Sequence, residues 1–355
     1  MRIFQVITVS EYGGAQTVVA NLVKNLSPQH ELFILYGGNG EAWSKLDNNF
    51  TPLKLSNHRK EVSYRDISLF FKLLYYRFKY KPDVVHLHSS KMGVLGRLAF
   101  SKKKTVLTIH GFDSVRTAFN KFLIIERLLK NRAFRIIGVS KYDAQIMKEE
   151  GISKNVEVIY NGVPDHSLKP LNTEDYIINE LTEIKEKYNK IIMCISRISR
   201  QKKFDLFLDI AKEMPQHAFV WIGNKERIPD LPENVFCLGE VHSAFSYLTY
   251  ANLFILPSNY EGLPISILEA LAFGVPVVAS AVGGVTELLD NNNGYAIEND
   301  VSVFKEKIES ILSDEQKQKA MSEHARQSYL ANFTIEEMVD NYKLVFDKIY
   351  SANKK

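Results

Sequence analysis

Two glutamates, Glu261 and Glu269, bracket the stretch EGLPISILE, with a glycine, a proline and an apolar run between them. Paired carboxylates first suggest the acid and nucleophile of a glycoside hydrolase, whose carboxyl groups stand roughly 5 to 9.5 Å apart. Eight residues of helix rise about 12 Å and carry the two ends off a common face, which disfavours that chemistry. The spacing suits an extended ligand held at several points. A carboxylate at each end accepts from hydroxyls, and the segment Gly262, Leu263, Pro264 and Ile265, read as a helix start, turns backbone N–H groups toward an anion.

Other residues fit the same layout. SRISRQKKF puts Arg197 and Lys202 after a strand, where a guanidinium can fork onto a diphosphate and an ammonium can act as a point charge. A solvated basic loop would look the same. After the first strand, Gly13 and Gly14 open a helix whose unpaired N–H groups suit an anion. This is not GxGxxG, and no ribose-binding acid follows the second strand, so an NAD site is disfavoured. His110 ends the strand-like run TVLTIH, and His86 and His88 are read as pointing to opposite faces of theirs, either one able to be structural. Hydroxyls, diphosphate and ribose in a row are the layout of a nucleotide sugar.

The elements that must position these groups alternate. RIFQVIT, ELFILY, DVVHLHS, KTVLTIH, RIIGVS and VEVIYN read as strands, separated by helices near 15–26, 64–80, 120–131 and 141–149. The alternation begins again with KIIMCIS, AFVWIG, VFCLG, NLFILP, PVVAS and GYAI. The fold class is therefore α/β, two Rossmann-like doubly wound domains facing across a cleft. The expected divisions are 1–165, 166–333 and a last helical segment, 334–355, able to pack back on the first domain. The polar, proline-bearing stretch 162–180 reads as the linker.

Composition narrows the classes further. The chain has 355 residues, 45% apolar, and a net charge of +4. Residues 1–165 hold 25 Lys+Arg against 14 Asp+Glu, whereas 166–355 hold 20 against 27. Basicity peaks at 58–81 and 101–105. In the first of these, Ile67, Phe70, Phe71, Leu74 and Phe78 recur near helical spacing among Arg65, Lys72, Arg77, Lys79 and Lys81. That pattern fits a helix lying on an anionic membrane surface and, equally, a core-facing helix with a solvated basic side. No nucleic-acid recognition pattern occurs, so nucleic acid is not expected as a partner. The start, MRIFQVITVS, turns polar too soon for a leader, and no apolar run approaches the roughly 20 residues that span a bilayer, which suggests a cytoplasmic chain. Cys194 and Cys237 lie in apolar runs without CxxC spacing and read as core residues.

EGLPISILE closely resembles the E-x7-E signature of retaining glycosyltransferases of family 4, which have the GT-B fold. GGA at 13–15, DVVHLHS at 83–89, TIHGFD at 108–113, GVSK at 138–141, VIYNGVP at 158–164, SRISRQKKF at 196–204 and AVGGVTELL at 281–289 extend the resemblance through nearly the whole chain. The resemblance implies that Glu269 binds the donor's ribose, and that Glu261, with Gly262 to Ile265, contacts the transferred sugar. It implies that Arg197 and Lys202 hold the diphosphate, with Gly13 and Gly14 closing on it, and that His110 is the active-site histidine. Where the family usually has glycine after the lysine, this chain has Lys203, which leaves open the turn and which lysine reaches the phosphates. Asp-x-Asp is absent and no metal or other cofactor is expected, because the cations can stabilise the leaving diphosphate. The expected donor is a UDP-hexose or UDP-N-acetylhexosamine, or else GDP-mannose. The base is expected near LGEVHSAF, 238–245. The acceptor is expected to be a polyprenyl-diphosphate-linked glycan of surface polysaccharide assembly, with a small sugar acceptor as the alternative. An epimerase and a catalytically silent carbohydrate-binding protein are the rival classes.

Overall fold

The computed structural model describes residues 1–44, 46, 49–56, 63–118, 123–168 and 173–354. They form two compact units, 1–162 with 335–355 and 163–334.

The first unit is built from β1 (Arg2–Ile7), α1 (Gly14–Leu26), β2 (Glu31–Gly37), β3 (Thr51–Ser56), α2 (Arg65–Tyr80), β4 (Val84–His88), α3 (Ser90–Ala99), β5 (Thr105–Ile109), α4 (Leu123–Leu129), β6 (Arg135–Gly138), α5 (Lys141–Glu149) and β7 (Val156–Val158). Its strands form one parallel sheet in the order β3-β2-β1-β4-β5-β6-β7. Alternate residues of the strands, among them Phe4, Val6, Leu35, Leu87 and Leu107, face the core that also takes Leu69 and Leu73 of α2 and Met92 of α3.

β3 and α3 have no counterpart among the runs picked out in the sequence. β3 carries Pro52, tolerated because β3 is an edge strand. α3 holds Gly93 and Gly96, poor helix formers that let it lie against the sheet. A Cβ on Gly96 would stand 2.4 Å from Leu87 Cδ2, and one on Gly93 would stand 2.9 Å from Leu107 Cδ1. Residues 120–122 of the expected fourth helix lie outside the described residues.

The second unit contains α6 (Asp175–Lys187), β8 (Ile191–Ile195), α7 (Phe204–Lys212), β9 (Ala218–Ile222), β10 (Val235–Cys237), β11 (Leu253–Leu256), α8 (Ile265–Ala272), β12 (Val277–Ser280), α9 (Val285–Leu288), β13 (Gly294–Ile297), α10 (Val301–Leu312) and α11 (Glu315–Asn332). Its parallel sheet runs β10-β9-β8-β11-β12-β13. Residues 175–180, expected in the linker, are helical instead, because Ile177, Leu181 and Ile184 recur on one face of α6 and are buried there. The last helix, α12 (Ile335–Lys354), belongs to the first unit. Its Tyr342, Val345, Phe346 and Ile349 are buried.

Candidate active site

In open parallel sheets ligands bind beyond the carboxyl ends of the strands, where the strand order reverses. In the second unit that place lies between β8 and β11. Lys202, in the loop after β8, donates from Nζ to Glu261 Oε1, after β11, at 2.5 Å, and both side chains are largely buried. The same oxygen accepts from Ser258 Oγ at 2.6 Å. The two loops are joined further by Gln201 Nε2 to Tyr260 O at 2.7 Å, Asn259 N to Gln201 O at 2.7 Å and Asn259 Nδ2 to Arg200 O at 2.8 Å.

Ser258 is held from behind by a closed ring of hydrogen bonds. Its N–H donates to Ser280 Oγ at 2.8 Å, Ser280 Oγ donates to Asn299 Oδ1 at 2.6 Å, and Asn299 Nδ2 donates to Ser258 O at 2.9 Å. The loop after β12 closes another side of Glu261. Gly283 is left-handed, with φ 55°, and a Cβ on it would lie 1.9 Å from Glu261 O, so only glycine fits. Gly284 N–H donates to Gly262 O at 2.9 Å. The sequence reading missed Ser258, Ser280, Asn299 and Gly283. Of these only Gly283 lay inside a motif, AVGGVTELL.

Glu269 lies on α8, whose N-cap is Pro264, preceded by Gly262 and Leu263. Ile265 and Ser266 begin a first turn with neither a side-chain cap nor an acidic residue. Glu269 is half-buried at its surface but enclosed by protein, and desolvation pushes its carboxyl up to about 8. Its carboxylate meets no donor among the described residues. A ligand diol would supply the missing donors.

Arg197 is exposed and forms no ion pair with any described residue. Lys203 adopts the left-handed conformation, φ 40° and ψ 55°, so the turn for which glycine is usual persists with lysine in it. Lys202, rather than Lys203, holds Glu261. A cleft of about 500 Å³ is lined by Asn224, Arg227, Asp230 and Cys237. Gly223, at its edge, packs so closely that a Cβ would lie 2.4 Å from Ser196 O. Of the segment 238–245, Gly239 and Glu240 border the neighbouring space. Cys237 is thus a half-buried wall of a cleft rather than a core residue, whereas Cys194 is buried.

In the first unit the strand order reverses between β1 and β4. Gly13 is the extended N-cap of α1, which has no side-chain cap and no acidic residue in its first turn, and Gly14 is its first residue. His110 follows β5 and is half-buried, and desolvation lowers its pKa to about 4. Such an imidazole is neutral near pH 7 and is a weak base. His86 and His88 lie on one face of β4, their rings 4.0 Å apart, which corrects the expectation of opposite faces. Residues two apart in a strand share a face. Both are fully buried and held neutral by desolvation.

On α2, Leu69 and Leu73 are buried, whereas Ile67, Phe71, Tyr75 and Phe78 form a stripe left exposed, Phe71 by 62% and Phe78 by 68%. Lys72 donates to the carbonyls of Lys54 and Leu55, and Arg77 to that of Ala99, so these two cations serve the fold. Residues 58–62 of the basic segment lie outside the described residues. In 101–105, Lys104 Nζ donates to Pro82 O, and Lys102 and Lys103 are exposed. No helix among the described residues is long and apolar enough to cross a membrane.

Two parallel α/β units, the second with an ammonium–carboxylate pair at its switch point, define the GT-B class. Residues 12–166 match the model of Glycosyltransferase Family 4, and residues 179–328 match that of Glycosyl transferases group 1. The chain belongs to these glycosyltransferases. Among its relatives is the UDP-Gal:alpha-D-GlcNAc-diphosphoundecaprenol alpha-1,3-galactosyltransferase of Escherichia coli, 27% identical over 89% of this chain and 88% of that protein. The O-antigen biosynthesis glycosyltransferase WbnH of Escherichia coli is 27% identical over 96% of this chain and 97% of its own. The fold matches that of Anabaena HepE, solved in complex with UDP-glucose, with TM-score 0.84 at 18% identity over 98% of this chain and 99% of that one.

Proposed function

We propose that this glycosyltransferase moves a hexose or N-acetylhexosamine, with retention of configuration, from a UDP-sugar to a polyprenyl-diphosphate-linked glycan of a surface polysaccharide. The observation that carries this reading is the arrangement after β8 and β11, where Lys202 and Glu261 are paired and, among the described residues, Arg197 meets no carboxylate and Glu269 no donor. In this reading Glu269 accepts from the ribose hydroxyls. Glu261, with the backbone of Gly262 to Ile265, holds the transferred sugar. Arg197 and Lys202 take up the charge of the departing diphosphate, which is where the transition state needs stabilising. Gly13 and Gly14 contribute backbone N–H groups to the diphosphate, and His110 positions the sugar. The cleft at Asn224 and Cys237 receives the base. No metal is required for this chemistry.

The relative acting on a diphosphoundecaprenol-linked sugar supports a lipid-linked acceptor. The apolar stripe of α2, flanked by Lys79 and Lys81, suits an anionic membrane surface and favours that acceptor over a small sugar. Transfer is tested with UDP- and GDP-sugars on polyprenyl-diphosphate-linked acceptors, the anomeric configuration of the product being read by NMR. Transfer from a UDP-sugar into an α-linkage is expected. Transfer from GDP-mannose alone, or into a β-linkage, would overturn the donor or the retaining assignment.

A further inference from the structure

Three adjacent strands of the first unit carry a buried row of polar side chains. Gln5 on β1 and His88 on β4 are both fully buried, and His110 follows β5. His88 Nε2 lies 2.8 Å from Gln5 Oε1, and His88 Nδ1 lies 3.0 Å from His110 Nε2, with the two rings stacked at 20°. On the other side of His88, His86 is engaged by Thr108 Oγ1 at 2.7 Å and packs on Tyr342 and Phe346 of α12. His88 therefore has both ring nitrogens committed.

The proton positions follow from the donors and acceptors. A carbonyl oxygen only accepts, so Gln5 Oε1 requires a proton on His88 Nε2. Neutral His88 then has a bare Nδ1, and the short contact with His110 requires a proton on His110 Nε2. Neutral His110 is left with a bare Nδ1, which is not buried and is bonded to none of the described residues. A purely structural role leaves one feature unexplained, because Gln5 Nε2 is buried without a partner among the described residues, a cost that apolar side chains in this core would avoid.

We propose that Gln5 and His88 are positioning residues that fix His110 as the Nε2–H tautomer, making its Nδ1 a hydrogen-bond acceptor for a ligand hydroxyl. The tautomer rests on the Gln5 amide presenting its oxygen to His88, and only the sugar as owner of that hydroxyl rests on the donor reading above.

The test uses the full chain labelled with 15N-histidine and free of nucleotide, so a wrong donor assignment cannot affect it. Long-range 1H–15N spectra report which nitrogen is protonated, with the His110 signals assigned by their loss in His110→Gln. The expected result is a proton on Nε2 of His110 in the wild type and a mixed or inverted pattern in Gln5→Leu. A proton on Nδ1 in the wild type would overturn the proposal, and this holds even if Gln5→Leu does not fold. An unchanged tautomer in Gln5→Leu, or in Gln5→Met of more similar length, would overturn the role of Gln5.

Discussion

Lys202 Nζ and Glu261 Oε1 stand 2.5 Å apart although their loops are separated by 59 residues of sequence, and Ser258 Oγ bonds the same oxygen. The pair is largely buried, so removing one partner leaves the other charge poorly solvated. Glu261→Gln is expected to cost about 1–3 kcal/mol of stability in denaturant unfolding and to lower kcat/KM by about 10²-fold or more. Combining it with Lys202→Met should cost less than the sum of the two single changes, as contacting residues do.

The raised pKa of Glu269 makes stability depend on pH. Its folded value, about 8, lies above the unfolded value of about 4.3, so the native state keeps a proton that the unfolded chain gives up. The carboxyl's contribution is fully present below about 4.3 and is lost as pH rises through about 8. Glu269→Gln keeps a neutral group throughout. The melting temperature of the variant minus that of the wild type should therefore grow between pH 5 and pH 8.

At Lys203 a left-handed lysine occupies a glycine conformation. Lys203→Gly should be neutral or stabilise by up to about 1 kcal/mol, and a β-branched Lys203→Val should destabilise by about 1–2 kcal/mol. Urea unfolding at fixed pH measures both.

Much of the fold was legible because a parallel sheet buries its strands on both faces, and runs such as KIIMCIS and NLFILP stand out as unbroken apolar stretches. α3 was hidden because its glycines serve close packing rather than helix propensity, and β3 because an edge strand tolerates proline. At the site, the type and spacing of Glu261, Glu269, Lys202 and Arg197 drew attention in the sequence. Ser258, Ser280 and Asn299 gave no signal. They lie 22 and 41 residues from first to second and first to third, and only the adjacency of β11, β12 and β13 brings them together. Gln5 was equally silent, being one polar residue in an apolar strand.

The α2 stripe separates binding from folding. Phe71, Tyr75 and Phe78 are exposed, so changing all three to serine should shift stability by less than about 1 kcal/mol while reducing co-sedimentation with anionic vesicles. Lys79→Gln with Lys81→Gln should weaken vesicle binding in a salt-dependent way. Lys72→Gln should instead destabilise the fold by about 1 kcal/mol, because it removes the hydrogen bonds to Lys54 O and Leu55 O.

The crevice after β8 and β11 is proposed to bind a UDP-sugar through Glu269. Thermal unfolding against a panel of UDP, GDP and ADP, with the wild type beside Glu269→Gln, tests it most directly. UDP alone should raise the melting temperature of the wild type, with the rise largely abolished in the variant. An equal rise in both proteins, or a rise with GDP and none with UDP, would contradict the account.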